Sequence, residues 1–176
     1  RGIAIGLISV LLLFFVQGML GWLVFEQPSF SLMQLVLEGF ITGLGVAFAE
    51  ELFFRGFIYD ELQRDYNSKS VVWATAIIFA VLHFIKPLPV IISTSPQFFG
   101  LVLLGLACVW AKRSTRGRLG LPIGLHGGLV WGNYIIEVGK LVKYSGTVPQ
   151  WVTGVNNNPL AGVMGLLSLI LLALWM

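Results

Sequence analysis

The chain has few charged residues, one cysteine and two histidines. Charged residues make up 11% of its 176 residues, against roughly 25% in an average soluble domain. So few charges cannot cover a water-facing surface, which excludes an ordinary soluble domain. Hydrophobic residues make up 57% and the mean hydropathy is +0.88, which indicates an integral membrane protein. The apolar runs are continuous rather than alternating, which disfavours a β-barrel.

The other scarce residue types exclude several kinds of site. A single cysteine, Cys108, excludes an internal disulfide and a cysteine-based metal cluster. It lies in an apolar stretch without a nearby histidine in sequence, so we expect it to pack rather than react. We find no glycine-rich phosphate loop and no nucleic-acid-binding pattern. The sequence therefore predicts no cofactor, no bound metal and no nucleic-acid partner.

The apolar residues are grouped into six segments that approach the length of about 20 residues needed to span a bilayer. Polar and turn-forming residues separate the segments, including an irregular loop around the prolines at 87, 89 and 96. This pattern predicts an all-α polytopic transmembrane helix bundle with about six spanning helices, forming one membrane domain over residues 1–176. The predicted spans are 3–25, 32–58, 71–86, 97–111, 119–138 and 159–176.

Lys and Arg are unevenly divided between the two sides of such a bundle. Seven lie on the side of the 60–70 and 112–118 loops, and three lie on the other side. Positive residues in short loops favour the cytoplasm, which predicts that the first side is cytoplasmic. The seven are Arg1, Arg64, Lys69, Lys112, Arg113, Arg116 and Arg118, and the three are Lys86, Lys140 and Lys143.

Three charges lie near the end of the second apolar segment, in the sequence Glu50-Glu51-Leu52-Phe53-Phe54-Arg55. Ionisable groups inside a membrane segment are costly and usually mark function. Glu51 and Arg55 are four residues apart and can pair on one helix face. Glu50 is rotated about 100° from Glu51, so it is free to act as a general base. The alternative is an ion-pair cluster that only locks helices together.

Both histidines also fall in apolar segments. Phe79 precedes His83 by one helical turn, and His126 lies among glycines at positions 120, 124, 128 and 132. Glycines at this spacing let membrane helices approach closely, and His126 projects about 200° away from them. At about 1.5 Å per residue, Glu50, His126 and His83 lie about 12, 10 and 18 Å inside their helices. A shared site is therefore plausible.

These motifs in this order resemble the CPBP family of intramembrane proteases, also called Abi or CaaX-type. The family includes the eukaryotic prenyl-protein endopeptidase and bacterial bacteriocin-processing or self-immunity relatives. The resemblance covers about residues 45–135, the expected catalytic core. It implies a glutamic-type intramembrane endopeptidase in which Glu50 and His83 activate a water. Glu51 and Arg55 would brace the site, and His126 would stabilise the oxyanion or assist the base.

The sequence departs from the family pattern at one position, and other functions remain open. The third motif often has Asn four residues after its histidine, where this chain has Val130; Asn133 lies seven residues after His126. One alternative is a non-enzymatic membrane scaffold or immunity protein. Another is a zinc-dependent membrane peptidase with Glu50, His83 and His126 as ligands. A third is a proton-coupled transporter.

The resemblance also carries expectations about substrate and location. A site within the bilayer predicts a membrane-bound or lipidated polypeptide as substrate, with the lipid bilayer as its setting. The eukaryotic relatives suggest a prenylated substrate. The bacterial-looking brevity of the chain argues instead for other substrates, and the expected location is the bacterial inner membrane. Glu38 and Glu137, the other acids near apolar segments, are expected at the outer membrane interface.

Overall fold

The structure is a computed structural model that describes residues 1–176. A π-helix, Leu52–Ile58, joins α2 to α3 without a break, and a 3₁₀ turn, Ser95–Gln97, joins α5 to α6. Two three-residue strands, β1 (Leu23–Phe25) and β2 (Val142–Tyr144), pair antiparallel. The helices are α1 (Gly2–Met19), α2 (Leu32–Glu51), α3 (Tyr59–Asp65), α4 (Ser68–Leu82), α5 (Leu88–Thr94), α6 (Phe98–Ser114), α7 (Gly120–Val138), α8 (Gln150–Thr153) and α9 (Val163–Trp175).

The predicted all-α bundle is confirmed, and the number of spans is approximate. Each of the six apolar segments contains a helix. Three continuous helical stretches are long and apolar enough to cross a membrane: Gly2–Met19, Leu32–Asp65 and Leu88–Ser114. The apolar helices α4 and α9 are shorter, with 15 and 13 residues.

The first helix is shorter than predicted. It ends at Met19, and Gly21 then adopts a φ of +72°, which a glycine tolerates without strain. The apolar residues that follow form β1, where Leu23 pairs with Tyr144 of β2. Apolar runs of this kind suit a strand as well as a helix, and the partner strand lies over a hundred residues away.

Two other boundaries differ from the prediction. The segment expected to be an irregular loop contains α5, whose prolines stand at or before the first helical turn, where their missing N–H groups are tolerated. In addition, α4 ends at Leu82, so His83 is its C-cap residue instead of lying within a helix that runs to residue 86. The site therefore contains a helix end.

Helix α7 packs closely against α1 and α2 through its glycines. A Cβ atom added to Gly128 would lie 2.3 Å from the carbonyl oxygen of Ile3 in α1, and one added to Gly43 of α2 would lie 2.7 Å from the carbonyl oxygen of Gly127. The predicted close approach is confirmed for Gly124, Gly128 and Gly132, whereas Gly120 faces open space. Backbone contact on these faces leaves the His126 face of α7 for chemistry.

The outer surface of the bundle is strongly apolar. Large side chains such as Phe15, Ile41, Phe57 and Leu174 are more than half exposed. A soluble protein rarely exposes so much contiguous apolar surface, whereas lipid tails solvate it without cost. Together with the three long apolar helices, this surface identifies an integral membrane protein.

Candidate active site

A fully buried ion pair lies at the centre of the bundle. Nη1 of Arg55 donates to Oε1 of Glu51 over 2.9 Å, and both side chains are 0% exposed. Nη2 of Arg55 donates to the carbonyl oxygen of Gly105 in α6 over 3.0 Å. The guanidinium also lies 4.4 Å from the centre of the Phe79 ring, a cation–π distance. The predicted Glu51–Arg55 pair thus links α2 to α4 and α6.

The π-helix begins at Leu52, directly after the two adjacent glutamates Glu50 and Glu51. Its wider turn, with i→i+5 hydrogen bonds, starts at Leu52 and contains Arg55. Short π-helical turns are rare and occur often at functional sites. No propensity pattern in the sequence indicated it, because helix propensities, including the low one of Gly56, do not distinguish a π-helix from an α-helix. The distortion is thus a feature that the sequence analysis missed.

Glu51 also orients His126. Nδ1 of His126 donates to the same Oε1 atom of Glu51 over 2.8 Å. This hydrogen bond turns the opposite ring nitrogen, Nε2, towards Glu50, which it approaches to 3.9 Å. The imidazole is 4% exposed and packs edge-on against Phe79. A carboxylate that fixes a histidine tautomer in this way, by accepting from one ring nitrogen, is a common device in active sites.

His83 is oriented by backbone rather than by a carboxylate. Its Nδ1 lies 2.7 Å from the carbonyl oxygen of Phe79, one turn earlier in α4. A carbonyl can only accept, so Nδ1 carries the proton and Nε2 of the neutral ring is an acceptor. Nε2 lies 3.8 Å from Oε2 of Glu50. The Phe79 ring packs against the imidazole, with 4.5 Å between centroids.

Glu50 lies between the two histidines, and its side chain makes no direct hydrogen bond. Its Oε2 atom is buried and makes no hydrogen bond, although the side chain as a whole is 28% exposed. Distances of 3.8 and 3.9 Å are too long for direct hydrogen bonds. One water molecule held between the groups can bridge such gaps. Glu50, His83 and His126 therefore converge, with Glu51 and Arg55 behind them.

Glu50 lies farther from the end of its helix than the sequence suggested. The helix that carries it continues to Asp65, not to residue 58 as predicted. At 1.5 Å per residue, Glu50 is about 22 Å from that end instead of 12 Å. The last residues of α3 are exposed, so they project beyond the bundle.

Two groups of side chains have the atoms to hold a metal. Ligand atoms of Glu51, Cys108 and His126 lie within 4.8 Å of one another. A cation there would meet the guanidinium of Arg55, which already donates to Glu51, so this group does not fit a metal. Cys108 itself is fully buried in the main hydrophobic cluster, as expected.

Glu50 and the two histidines form the other group. Tetrahedral zinc, with bonds of about 2.0–2.2 Å, separates its ligand atoms by about 3.3–3.5 Å. The observed separations of 3.8 and 3.9 Å between Glu50 and the histidines are longer. The donor types suit zinc, and the spacing is looser than a zinc site requires.

The position four residues after His126 is occupied by Val130. Val130 and Asn133 line a cavity beside α7, and Asn133 makes no side-chain hydrogen bond. The Asn133 amide lies two turns beyond His126 along the same helix. The position where the resemblance implied an asparagine therefore carries an apolar side chain.

One basic residue counted as a loop charge is part of the packed structure. Lys112 belongs to α6 and is 4% exposed. It donates to the side chain of Asp60 and to the carbonyl oxygen of Arg55, and its ammonium lies 4.6 Å from the Tyr59 ring centre. No sequence pattern indicates this role, because the partners lie about fifty residues away along the chain. Lys112 holds the π-helix against α6.

Comparison with known proteins agrees with the geometry. Residues 32–132 match the family model described as type II CAAX prenyl endopeptidase, Rce1-like. The match covers more than half of the chain and includes all five predicted site residues. Comparisons with curated proteins and with solved structures found no match. The matched range contains α2, α4 and α6 and the first two-thirds of α7, and the chain therefore belongs to the Rce1-like family of type II CAAX prenyl endopeptidases.

Proposed function

We propose that the chain is an intramembrane endopeptidase in which Glu50 and His83 activate a water molecule. The observation that carries this proposal is the position of Glu50 Oε2, buried, unpartnered and 3.8–3.9 Å from Nε2 of both histidines. Membership of a protease family supports hydrolysis of a polypeptide. The glutamic mechanism is our inference from the geometry of these side chains.

The first step is attack by water. A water between Glu50 and His83 donates its two hydrogens to the carboxylate and to Nε2, both of which are acceptors. Glu50 takes one proton as the water oxygen attacks the scissile carbonyl carbon. The carbonyl π electrons move to oxygen, which becomes a tetrahedral oxyanion. The low-dielectric surroundings strengthen each of these interactions.

The second step is collapse of the tetrahedral intermediate. His126 in its imidazolium form offers an Nε2–H to the oxyanion, while its Nδ1–H remains bonded to Glu51. Glu50 then returns its proton to the leaving nitrogen, and the C–N bond breaks to give a carboxylic acid and an amine. Glu51 and Arg55 act as positioning residues, because both are buried behind His126.

The family description suggests a lipid-modified substrate, and the position of the site agrees with it. Glu50 is 28% and His83 is 29% exposed, and the neighbouring surface residues are apolar, including Phe53 and Leu82. A polypeptide held at the membrane by a prenyl or other lipid group would reach such a site from the bilayer. We also propose that the 60–70 and 112–118 loops face the cytoplasm of a bacterial inner membrane.

The experiment that tests the mechanism is cleavage of membrane-tethered peptides in liposomes, with and without a prenylated cysteine. Replacing Glu50 by Gln removes the base and should reduce cleavage by about 10²–10⁴-fold. The matched control is Glu38→Gln, an exposed carboxylate in the same helix, which should cleave like wild type. Cleavage by wild type should survive strong chelation.

Each other outcome points to a different function. Loss of wild-type cleavage on chelation would favour a zinc peptidase built on Glu50, His83 and His126. If no peptide is cut and Glu50→Gln behaves as wild type in cells, a scaffold or immunity protein replaces the peptidase. Cleavage of prenylated peptides alone would identify the substrate class.

A further inference from the structure

The cavity that Val130 and Asn133 line lies away from the proposed catalytic groups. It has a volume of about 350 Å³, is partly open to its surroundings and is lined mainly by α1, α7 and α9. The walls are mostly apolar, with Val10 and Phe14 from α1 and Leu169 from α9. Ligand pockets generally measure about 300–1,000 Å³ and are mainly apolar with a few polar groups. Glu50 and His83 do not line it, so it is a separate compartment.

One wall of the cavity carries an acidic group without a partner. Val130, Asn133 and Glu137 line it from one face of α7, at the spacing of successive helical turns. Oε1 of Glu137 is buried and makes no hydrogen bond. Glu137, which the sequence places at the water interface, is half-buried and lines the cavity near the end of α7. A buried carboxylate oxygen without a donor is costly.

The protein supplies no cation to this carboxylate. No Lys, Arg or His lines the cavity. Lys140, three residues further along, is exposed and forms no salt bridge. Burial, with a smaller contribution from the charge of Glu137, raises the pKa of Tyr144 to about 12, and this nearby neutral phenol supplies no cation either. The cavity is thus mainly apolar, with the polar side chains of Ser9, Asn133, Asn158 and Ser168 in its wall, and Glu137 is the one carboxyl group that lines it.

We propose that this cavity binds a single-chain amphiphile whose polar end is a protonated amine. The apolar walls take the hydrocarbon chain, and the ammonium donates to Oε1 of Glu137. Such charge-assisted hydrogen bonds are about twice as strong as neutral ones. A phosphate or carboxylate headgroup would instead place a second negative charge beside Glu137 with no cation to offset either. The charge of the lining therefore selects the amine.

Photo-crosslinking of the full chain in phosphatidylcholine nanodiscs tests this proposal. The probe is dodecylamine with a diazirine at the chain end, and a dodecanoate probe with the same diazirine is its matched counterpart. The amine probe should label cavity residues of α1 and α9, such as Leu13 and Ser168, above the labelling of lipid-facing Leu174. Unlabelled dodecylamine should compete for the cavity positions, and the dodecanoate probe should give only background there.

Two variants separate the carboxylate from the cavity itself. Glu137→Gln keeps the shape and removes the charge, so labelling of the cavity by the amine probe should fall about tenfold. Glu38→Gln is the control and should label like wild type. Ser168→Phe fills the cavity from α9 and should abolish labelling at Leu13, with folding checked by circular dichroism. Equal labelling by both probes, or unchanged labelling in Glu137→Gln or Ser168→Phe, would overturn the proposal.

Discussion

Two adjacent glutamates have different surroundings in this protein. Glu51 is fully buried and its Oε1 atom accepts from both Arg55 and His126. Glu50, rotated by about 100° on the helix, is 28% exposed and directs an unpartnered oxygen towards the two histidines. The same side-chain chemistry is therefore divided between support and reaction. The prediction that Glu51 pairs with Arg55 is confirmed, and the catalytic role of Glu50 stays a prediction.

Removing Arg55 should destabilise the protein more than any exposed charge does. In Arg55→Leu, Glu51 loses a cation while it remains fully buried, and breaking a buried pair in this way costs about 3–5 kcal/mol. The measurement is the free energy of unfolding in detergent, obtained from a denaturant titration. The control is Arg64→Ala, whose pair with Glu61 is exposed and should contribute less than about 1 kcal/mol. Equal effects of the two substitutions would argue against a structural role for the buried pair.

At the scale of the helices, the glycine faces of α7 decide how closely three helices approach. Its Gly124 and Gly128 face the backbone of α1, and its Gly127 faces α2. With both sides of α7 taken up by backbone contact, the remaining face directs His126 towards Glu50 and Glu51. Shifting either packing contact would move the imidazole away from its partners. Helix packing and site geometry are thus coupled through α7.

A methyl group added at Gly128, on the face of α7 that contacts α1, should therefore destabilise the protein. In Gly128→Ala the added Cβ would lie 2.3 Å from the carbonyl oxygen of Ile3, which is backbone and cannot rotate away. Overpacking of this kind costs about 1–3 kcal/mol, and cleavage should fall with the displacement of His126. The measurement is thermal unfolding together with the cleavage assay. Gly45→Ala in α2 meets open space and should be neutral, so similar losses in both variants would contradict the explanation.

The element boundaries show where sequence patterns are insufficient. The six apolar segments were recognisable, because lipid-facing and buried helices are both apolar over many residues. Leu23–Phe25 has the same composition but forms β1, because β2 lies beside it at the end of α1 and α7. Within the π-helix, Arg55 donates to the carbonyl oxygen of Gly105 in α6, fifty residues away. Local composition does not encode such contacts.

For the whole molecule, the predicted orientation can be tested by chemical labelling. Seven basic residues against three predict that Asp65 faces the cytoplasm and that Gln150 faces the other side. Both residues are exposed and the native Cys108 is fully buried, so cysteine variants can be compared without removing it. A membrane-impermeant maleimide added to bacterial spheroplasts should label Gln150→Cys but not Asp65→Cys. The reverse pattern would mean the opposite orientation.

Composition and motif order were sufficient to predict the class of protein and its family. A chain with 11% charged residues has too few of them for a water-facing surface, and the family was recognisable because Glu50, Arg55, His83 and His126 keep their types and order. The membrane-helix bundle and the family follow from these local facts. Both depend on which residues are present and on their spacing within single helices.

Contacts between residues far apart in the chain decided the side-chain orientations and burial that the sequence did not predict. Which nitrogen of His126 faces Glu50 depends on Glu51, seventy-five residues away, and Lys112 pairs with Asp60, fifty-two residues away. The position of Glu137 at the membrane interface stays a prediction, and the packing of α1, α7 and α9 also places it beside a cavity. Side-chain direction and burial are set by neighbouring helices, and the sequence of one segment carries no record of which helices will pack against it.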